Sequence, residues 1–232
     1  MQTLDIIYED NDIILCRKPA GVATQTKRLG QQDMESLLKN YRAKKKEPPY
    51  IGVVHRLDQP VEGLMVFAKN QKAAADLSKQ IQQKIIGKHY YAISAGEPKA
   101  KEGMLENYLI TDKKMNVTYV VVGEIGGAAE IREKKNSLEG AKKAILEYKV
   151  ADEKEGLTLF DIHLHTGRQH QIRVQMSHIG CPLVGDSKYG DVGQGKNGLA
   201  LCSYRLAFRH PTTGKTMDFS IKPTGEVFKS FF

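Results

Sequence analysis

Five consecutive apolar residues, Leu64-Met65-Val66-Phe67-Ala68, lie between Gly63 and Lys69. A run this short, bounded by a glycine and a cation, reads as a buried strand. Residues 51–54 read as the end of another strand. Between the two lies His55-Arg56-Leu57-Asp58-Gln59-Pro60-Val61-Glu62. Pro60 and Gly63 exclude a helix through this polar segment, so it is a loop. A loop between core strands is where a rigid scaffold presents a reactive group, here Asp58 flanked by His55 and Arg56. An aspartate that merely closes a turn looks the same locally, so the rest of the chain must decide.

The 232 residues suit one large domain or two small lobes and are enough to bury a core without staples. Net charge is +8, which favours an anionic partner, with nucleic acid ahead of a membrane surface. Cys16, Cys181 and Cys202 are isolated, with no Cys-x-x-Cys pair, so they read as small buried hydrophobes in a reducing compartment. The first ten residues carry acids where a signal peptide needs bases, and no apolar run is long enough to span a bilayer. We expect a cytoplasmic protein with no membrane attachment.

The remaining elements follow from periodicity and punctuation. Short strands are expected at 6–8 and 13–16, then a break at Lys18-Pro19-Ala20-Gly21. Apolar residues at 34, 37, 38 and 41 predict a helix that runs into Arg42-Ala43-Lys44-Lys45-Lys46, a cation run that reads as a solvated face or a phosphate contact. Asn70 is an N-cap candidate for a helix with Ala73, Leu77, Ile81 and Ile85 on one stripe and Gly87 as its stop. Residues 88–94 form a strand that turns Tyr90 and Tyr91 to opposite faces. Residues 96–143 are less patterned: a strand at 117–122 and turns at 123–127 and 136–140. Strands at 144–150 and 157–164 flank a turn at 152–156. Leu157, Leu159, Asp161, His163 and His165 share one face, and Thr158, Phe160, Ile162 and Leu164 the other. Gly167 opens a loop entering a helix, and Gly180-Cys181-Pro182 ends it. Residues 199–202, 206–208 and 217–221 are closing strands with a turn at 211–214. Many antiparallel strands with two or three helices make an α+β chain.

The chemistry narrows by what the sequence lacks. It has no Gly-x-Gly-x-x-Gly, no phosphate-binding P-loop and no Gly-x-Ser-x-Gly elbow. His163, His165 and His170 form a histidine cluster, but no carboxylate or cysteine pattern accompanies them, so no metal is expected. That leaves Asp58 with two arginine-rich segments, 55–58 and 168–173. A carboxylate facing an arginine stays ionised and suits the part of nucleophile or base. Glycosidic cleavage normally needs a second carboxylate as acid, for which Glu62 is the nearest candidate; isomerising a glycosidic bond without admitting water needs only one.

Residues 52–69 and 163–190 resemble the two signature regions of the RluA-type RNA pseudouridine synthases. The first is similar to that family's His-Arg-Leu-Asp loop followed by a glycine and an apolar strand ending here in Phe67-Ala68-Lys69. The second resembles its Thr-Gly-Arg-x-His-Gln-Ile-Arg-Val segment, residues 166–174, followed by Gly-x-Pro at 180–182 and Gly-Asp-x-x-Tyr-Gly at 185–190. Lys88-His89-Tyr90-Tyr91-Ala92 resembles the family's Lys-x-Tyr-x-Ala strand, and Lys18-Pro19-Ala20-Gly21 its Lys-Pro-Ala-Gly opening. The likeness covers most of the chain in the family's order.

The resemblance implies a pseudouridine synthase fold, a mixed and mainly antiparallel sheet with flanking helices around a central catalytic cleft. It implies isomerisation of uridine in ribosomal or transfer RNA with neither cofactor nor metal. By position, Asp58 is the catalytic aspartate, Tyr90 stacks on the target base, and Arg173 pairs with Asp58. His55, Arg56 and Leu57 in the first segment and Arg168, His170 and Gln171 in the second are the candidate substrate-binding residues. Extruding a uridine from its stack costs a few kcal/mol, which an aromatic wall and a basic groove can offset.

Two departures stand out. Val61-Glu62 occupy the place of the family's Thr-Ser, which we read as a surface change at Glu62, and Cys202 replaces a histidine and reads as packing. We expect one catalytic domain over 1–232, with no separate N-terminal RNA-binding domain, acting as a monomer. The alternatives are a non-catalytic RNA-binding or folding module on the same fold, and a glycoside- or nucleoside-cleaving enzyme using Asp58 with Glu62.

Overall fold

The computed structural model describes residues 4–28, 30–121, 140–190 and 198–232. In chain order the elements are β1 (Asp5–Glu9), β2 (Ile13–Lys18), α1 (Met34–Lys44), β3 (Gly52–Val53), β4 (Glu62–Ala68), α2 (Gln71–Gln82), β5 (Gly87–Ser94), β6 (Glu102–Asp112), β7 (Val117–Val121), β8 (Lys142–Lys154), β9 (Leu157–Leu164), α3 (Gln171–His178), β10 (Leu201–Arg209) and β11 (Thr216–Ser220), with a short 3-10 turn at Glu226–Phe228. The strands form one sheet in the order β1-β2-β4-β10-β5-β9-β8-β6-β7, with β11 on β10 and β3 on β4. Pairing is antiparallel throughout except between β4 and β10. The architecture is the expected α+β one.

The two sheet faces carry separate cores. On one, Met65 and Phe67 of β4 pack with Tyr90, Phe160 and Ile162 and with Met34 and Leu38 of α1 and Ile172 and Met176 of α3. On the other, Leu64, Val66 and Ala68 pack with Ala73 and Leu77 of α2 and with Leu206 and Phe208. Every residue of β4 is buried. A strand covered on both faces cannot alternate polar and apolar residues, which is why residues 64–68 form a continuous apolar run.

α1 begins on an Asp33–Ser36 capping box and α2 on Asn70, whose side chain accepts from the Ala73 N–H. α2 ends earlier than expected. Lys84 takes the left-handed conformation (φ 57°), and the Ile85 and Lys84 N–H groups close onto the Gln80 and Ile81 carbonyls at 2.9 and 3.1 Å. Gly87 therefore opens β5 instead of stopping the helix. The β8–β9 turn is also tighter than expected: Glu155 and Gly156 alone, both at positive φ, connect the paired residues Lys154 and Leu157. The two closing strands expected at 199–202 and 206–208 are one strand, β10, with an irregularity between Ser203 and Arg205. The turn expected at 123–127 and most of that at 136–140 lie outside the described residues.

In the cation run after α1, Arg42 is buried and donates to the Tyr50 and Lys69 carbonyls at 2.5 and 2.7 Å. Lys45 pairs with Glu9, and Lys44 and Lys46 face solvent. Among the described residues no helix is long and apolar enough to cross a membrane.

Candidate active site

The loop bearing Asp58 is clamped on three sides. Leu57 is buried, and its N–H and C=O both engage the Thr24 hydroxyl, at 3.2 and 3.0 Å. Gln59 is held by the segment 18–21: the Gly21 N–H donates to its carbonyl at 2.8 Å, and its side-chain amide donates to the Gly21 carbonyl at 2.9 Å. Behind that segment the Lys18 ammonium is fully buried and donates to the Pro19, Val22 and Gln59 carbonyls at 3.0, 2.6 and 3.0 Å. Burial pushes the Lys18 amine down to about 8 against the pull of the Asp58 and Glu62 charges. The third clamp is His55, whose Nε2 accepts from the Val66 N–H at 3.1 Å. That role requires a neutral ring; burial, aided by the nearby Lys88 charge, pushes its pKa down to about 3.

Asp58 itself is partly exposed, and two groups of the second segment face it. Arg173 Nη1 lies 3.6 Å and His170 Nε2 3.9 Å from its Oδ2. Arg173 is held by another carboxylate. Asp186, fully enclosed, accepts from Arg173 Nε and Nη2 at 2.8 and 2.6 Å, and from the Lys188 and Tyr189 N–H groups at 2.9 and 3.2 Å. This is a bidentate fork, which fixes the guanidinium plane and directs its remaining nitrogen at Asp58. Burial opposes the Arg173 charge, but the Asp186 hydrogen bonds and charge outweigh it and hold its pKa above the ordinary value. Burial likewise opposes the Asp186 charge, and Arg173 holds its carboxyl below the ordinary value.

His170 caps α3 in the left-handed conformation (φ 52°, ψ 22°). Its Nδ1 lies 2.7 Å from the Tyr189 hydroxyl, which accepts from the Thr118 N–H at 2.8 Å. A hydroxyl donating to Nδ1 leaves the ring proton on Nε2, the nitrogen facing Asp58. Burial lowers the His170 pKa, with the Asp58 charge opposing. The Tyr189 ring also lies under the Arg173 guanidinium, 5.3 Å from its centroid.

Tyr90 and Tyr91 diverge as strand geometry requires. Tyr91 stacks on Tyr204 at 3.7 Å on one face, while Tyr90 is buried on the face that packs α1 and α3. Burial keeps the Tyr90 phenol protonated; a Ser203 hydrogen bond opposes this and the Asp58 charge adds to it.

The structure thus brings Asp58, Arg173 and His170 together, with Tyr90 within reach of the Asp58 field. Arg56 is exposed beside them. Arg168 is exposed and donates from Nε to the Lys143 carbonyl at 2.9 Å. The other three candidates hold the scaffold: Leu57 is a core residue and His55 binds the β4 backbone. Gln171 is buried, its Oε1 accepting from the Thr166 hydroxyl and the Arg168 N–H and its Nε2 donating to the Ile145 carbonyl.

Glu62 is no surface residue. It is 5 % exposed and accepts from the Thr224 N–H and hydroxyl and the Gly225 N–H at 3.0, 2.6 and 3.0 Å. A carboxylate committed to the C-terminal segment cannot serve as the second acid of a glycosidic cleavage beside Asp58. Cys202 is buried in a hydrophobic cluster with Ile93 and Phe228, as expected. Lys18, Asp186 and Tyr189 were not singled out from the sequence, although all three lie within the segments that carry the family resemblance.

The family model described as RNA pseudouridylate synthase matches residues 12–178. A Bacillus subtilis (strain 168) protein named Uncharacterized RNA pseudouridine synthase YhcT is 33% identical over 213 residues, 90% of this chain and 65% of that protein. Ribosomal large subunit pseudouridine synthase D of Vibrio parahaemolyticus is 34% identical over 233 residues, 93% of this chain and 66% of that one. The chain therefore spans just under two thirds of the length of these relatives. The solved human RNA Pseudouridylate Synthase Domain Containing 4 superposes with a TM-score of 0.75 at 21% identity, covering 97% of this chain and 90% of its own, a likeness of fold.

Proposed function

This chain belongs to the RNA pseudouridylate synthase family, and we propose from that premise that it isomerises uridine to pseudouridine in RNA with Asp58 as its reactive carboxylate. The observation that carries the reading is the pairing of a partly exposed Asp58 with Arg173, itself locked by Asp186. Of Asp58, Glu62 and Asp186, the last two are held by the fold, which leaves Asp58 for a substrate. Asp58 acts as nucleophile or base at the extruded uridine, and Arg173 holds the charge opposite it. Tyr90, protonated, offers a flat apolar wall for the base and a hydroxyl for a proton. Arg56 and Arg168, whose exposure supports the role, contact phosphates.

The target is a uridine of ribosomal or transfer RNA; the relative named for the large ribosomal subunit supports the first. The test is tritium release from RNA labelled at uridine C5, with ribosomal and transfer RNA assayed separately. Wild type releases tritium from one pool, and Asp58→Ala releases none while keeping the wild-type circular dichroism and melting temperature. RNA binding without release by the wild type would favour a non-catalytic RNA-binding module instead.

A further inference from the structure

The His163-x-His165 pair plays no part in the site above. It lies on the sheet face opposite Tyr90, and the carboxylate that the local sequence lacks arrives across the strand pair. His163 is in register with Glu147 of β8 on one side and with His89 of β5 on the other. Glu147 Oε1 lies 3.1 Å from His165 Nε2, and its Oε2 lies 3.8 Å from His163 Nδ1. One ligating atom from each of the three residues lies within 4.8 Å of the others. His165 Nε2 is shielded from solvent yet makes no hydrogen bond, its approach to Glu147 being misaligned for one. His89 stacks on His163, with centroids 4.4 Å apart and planes at 5°, and this fixes the His163 ring.

We propose that Glu147, His163 and His165 form a binding site for a divalent cation of the zinc class, independent of the Asp58 site. Two imidazoles and one carboxylate are a donor set that zinc-class ions favour, whereas magnesium demands an oxygen octahedron. Donors about 2.0–2.2 Å from a tetrahedral ion stand roughly 3.4 Å apart, and one donor atom from each of the three residues already lies within 4.8 Å of the others. With three protein ligands a fourth position stays open to solvent or a phosphate oxygen. No carboxylate accompanies the two histidines locally in the sequence, and Glu147 reaches them from a neighbouring strand; His170, grouped with this pair by sequence, faces Asp58 instead.

A second trio, Asp10, Asp12 and His210, also clusters, but its hydrogen bonds account for it. Asp10 accepts from the Asp12 and Ile13 N–H groups and the Tyr8 hydroxyl and meets His210 Nε2 at 2.8 Å, while His210 Nδ1 accepts from the Thr212 and Thr213 N–H groups. No such explanation covers His165 Nε2.

Isothermal titration of the full, untagged chain with zinc chloride, and with magnesium chloride in parallel, tests the assignment. One zinc ion binds per chain, magnesium gives no heat, and zinc raises the melting temperature. His163→Ala, His165→Ala and Glu147→Gln each weaken zinc binding at least about tenfold and remove the melting shift, while His178→Ala, at an exposed histidine, changes neither. Absence of zinc binding by the wild type would overturn the proposal. So would zinc affinity unchanged in both histidine variants.

Discussion

Arg173 divides its guanidinium between two carboxylates of unequal standing. The bidentate contact to Asp186 sets its orientation, and the longer contact to Asp58 is what that orientation leaves over. Asp186→Asn removes the buried counter-charge, and we expect a loss of about 3 kcal/mol in urea unfolding, the usual cost of orphaning a buried partner. A loss under about 0.5 kcal/mol would mean that Asp58 takes over the pairing. His55 makes a pH prediction. Its folded-state pKa lies near 3, below the value of about 6.5 for an unfolded chain, so the unfolded state binds the extra proton between those limits. The stability His55 contributes is therefore complete above pH about 6.5 and is lost as pH falls toward 3. Because the residue keeps some solvent contact, we expect about 1–3 kcal/mol rather than the full linkage. Chemical denaturation at pH 7 and 5 measures it, and His55→Gln should flatten the difference. Neither role was legible from residue types alone: a histidine beside a reactive aspartate reads as a substrate ligand, and only the Val66 N–H shows it to be a clamp. Arg173 was readable through its motif, but a partner thirteen residues on, across a helix end and a turn, was not.

At the scale of elements, β4 shows what makes a strand readable. Its apolar run is continuous because helices cover both faces, so the run marks the centre of the sheet as well as a strand. The start of β4 is the least tolerant part. Gly63 sits at φ +134°, and a Cβ there would collide with the Ser203 backbone. Glu62 ties the same strand to residues 224 and 225 through three hydrogen bonds. We expect Glu62→Ala to cost about 2–3 kcal/mol, since the Thr224 and Gly225 donors lose a charged acceptor. Thermal melts check this, and an unchanged melting temperature would show that water replaces the carboxylate. Element ends were less legible than elements. The helix after Asn70 was expected to stop at a glycine, and a lysine in the left-handed conformation stops it sooner because the Gln80 and Ile81 carbonyls are there to be capped. The closing strands were divided at Ser203-Tyr204-Arg205, where the backbone slips by a residue while continuing as one strand.

For the whole molecule, the charge of +8 and the family's chemistry point to one long-range property. RNA affinity should fall with salt, with a log–log slope of about −0.7 per phosphate neutralised on a single strand. Filter binding between 50 and 300 mM salt gives the slope, and a flat response would count against an RNA substrate. Arg56→Ala should make the slope shallower by about one phosphate. Composition made this legible, whereas the arrangement of the sheet was not, because the parallel pairing of β4 with β10 joins residues 62–63 to 202–203, and nothing local encodes so distant a neighbour. That pairing also sets an order of assembly. Every group proposed for the reaction lies before residue 190, but the edge of β4 beneath the Asp58 loop is closed by residues 202–203, and Glu62 waits for donors at 224 and 225. A chain leaving the ribosome therefore carries the groups proposed for the reaction before it carries the strand that closes the edge of β4. Ordering of the Asp58 loop should therefore wait on residues 202–203 and 224–225, downstream of every one of those groups.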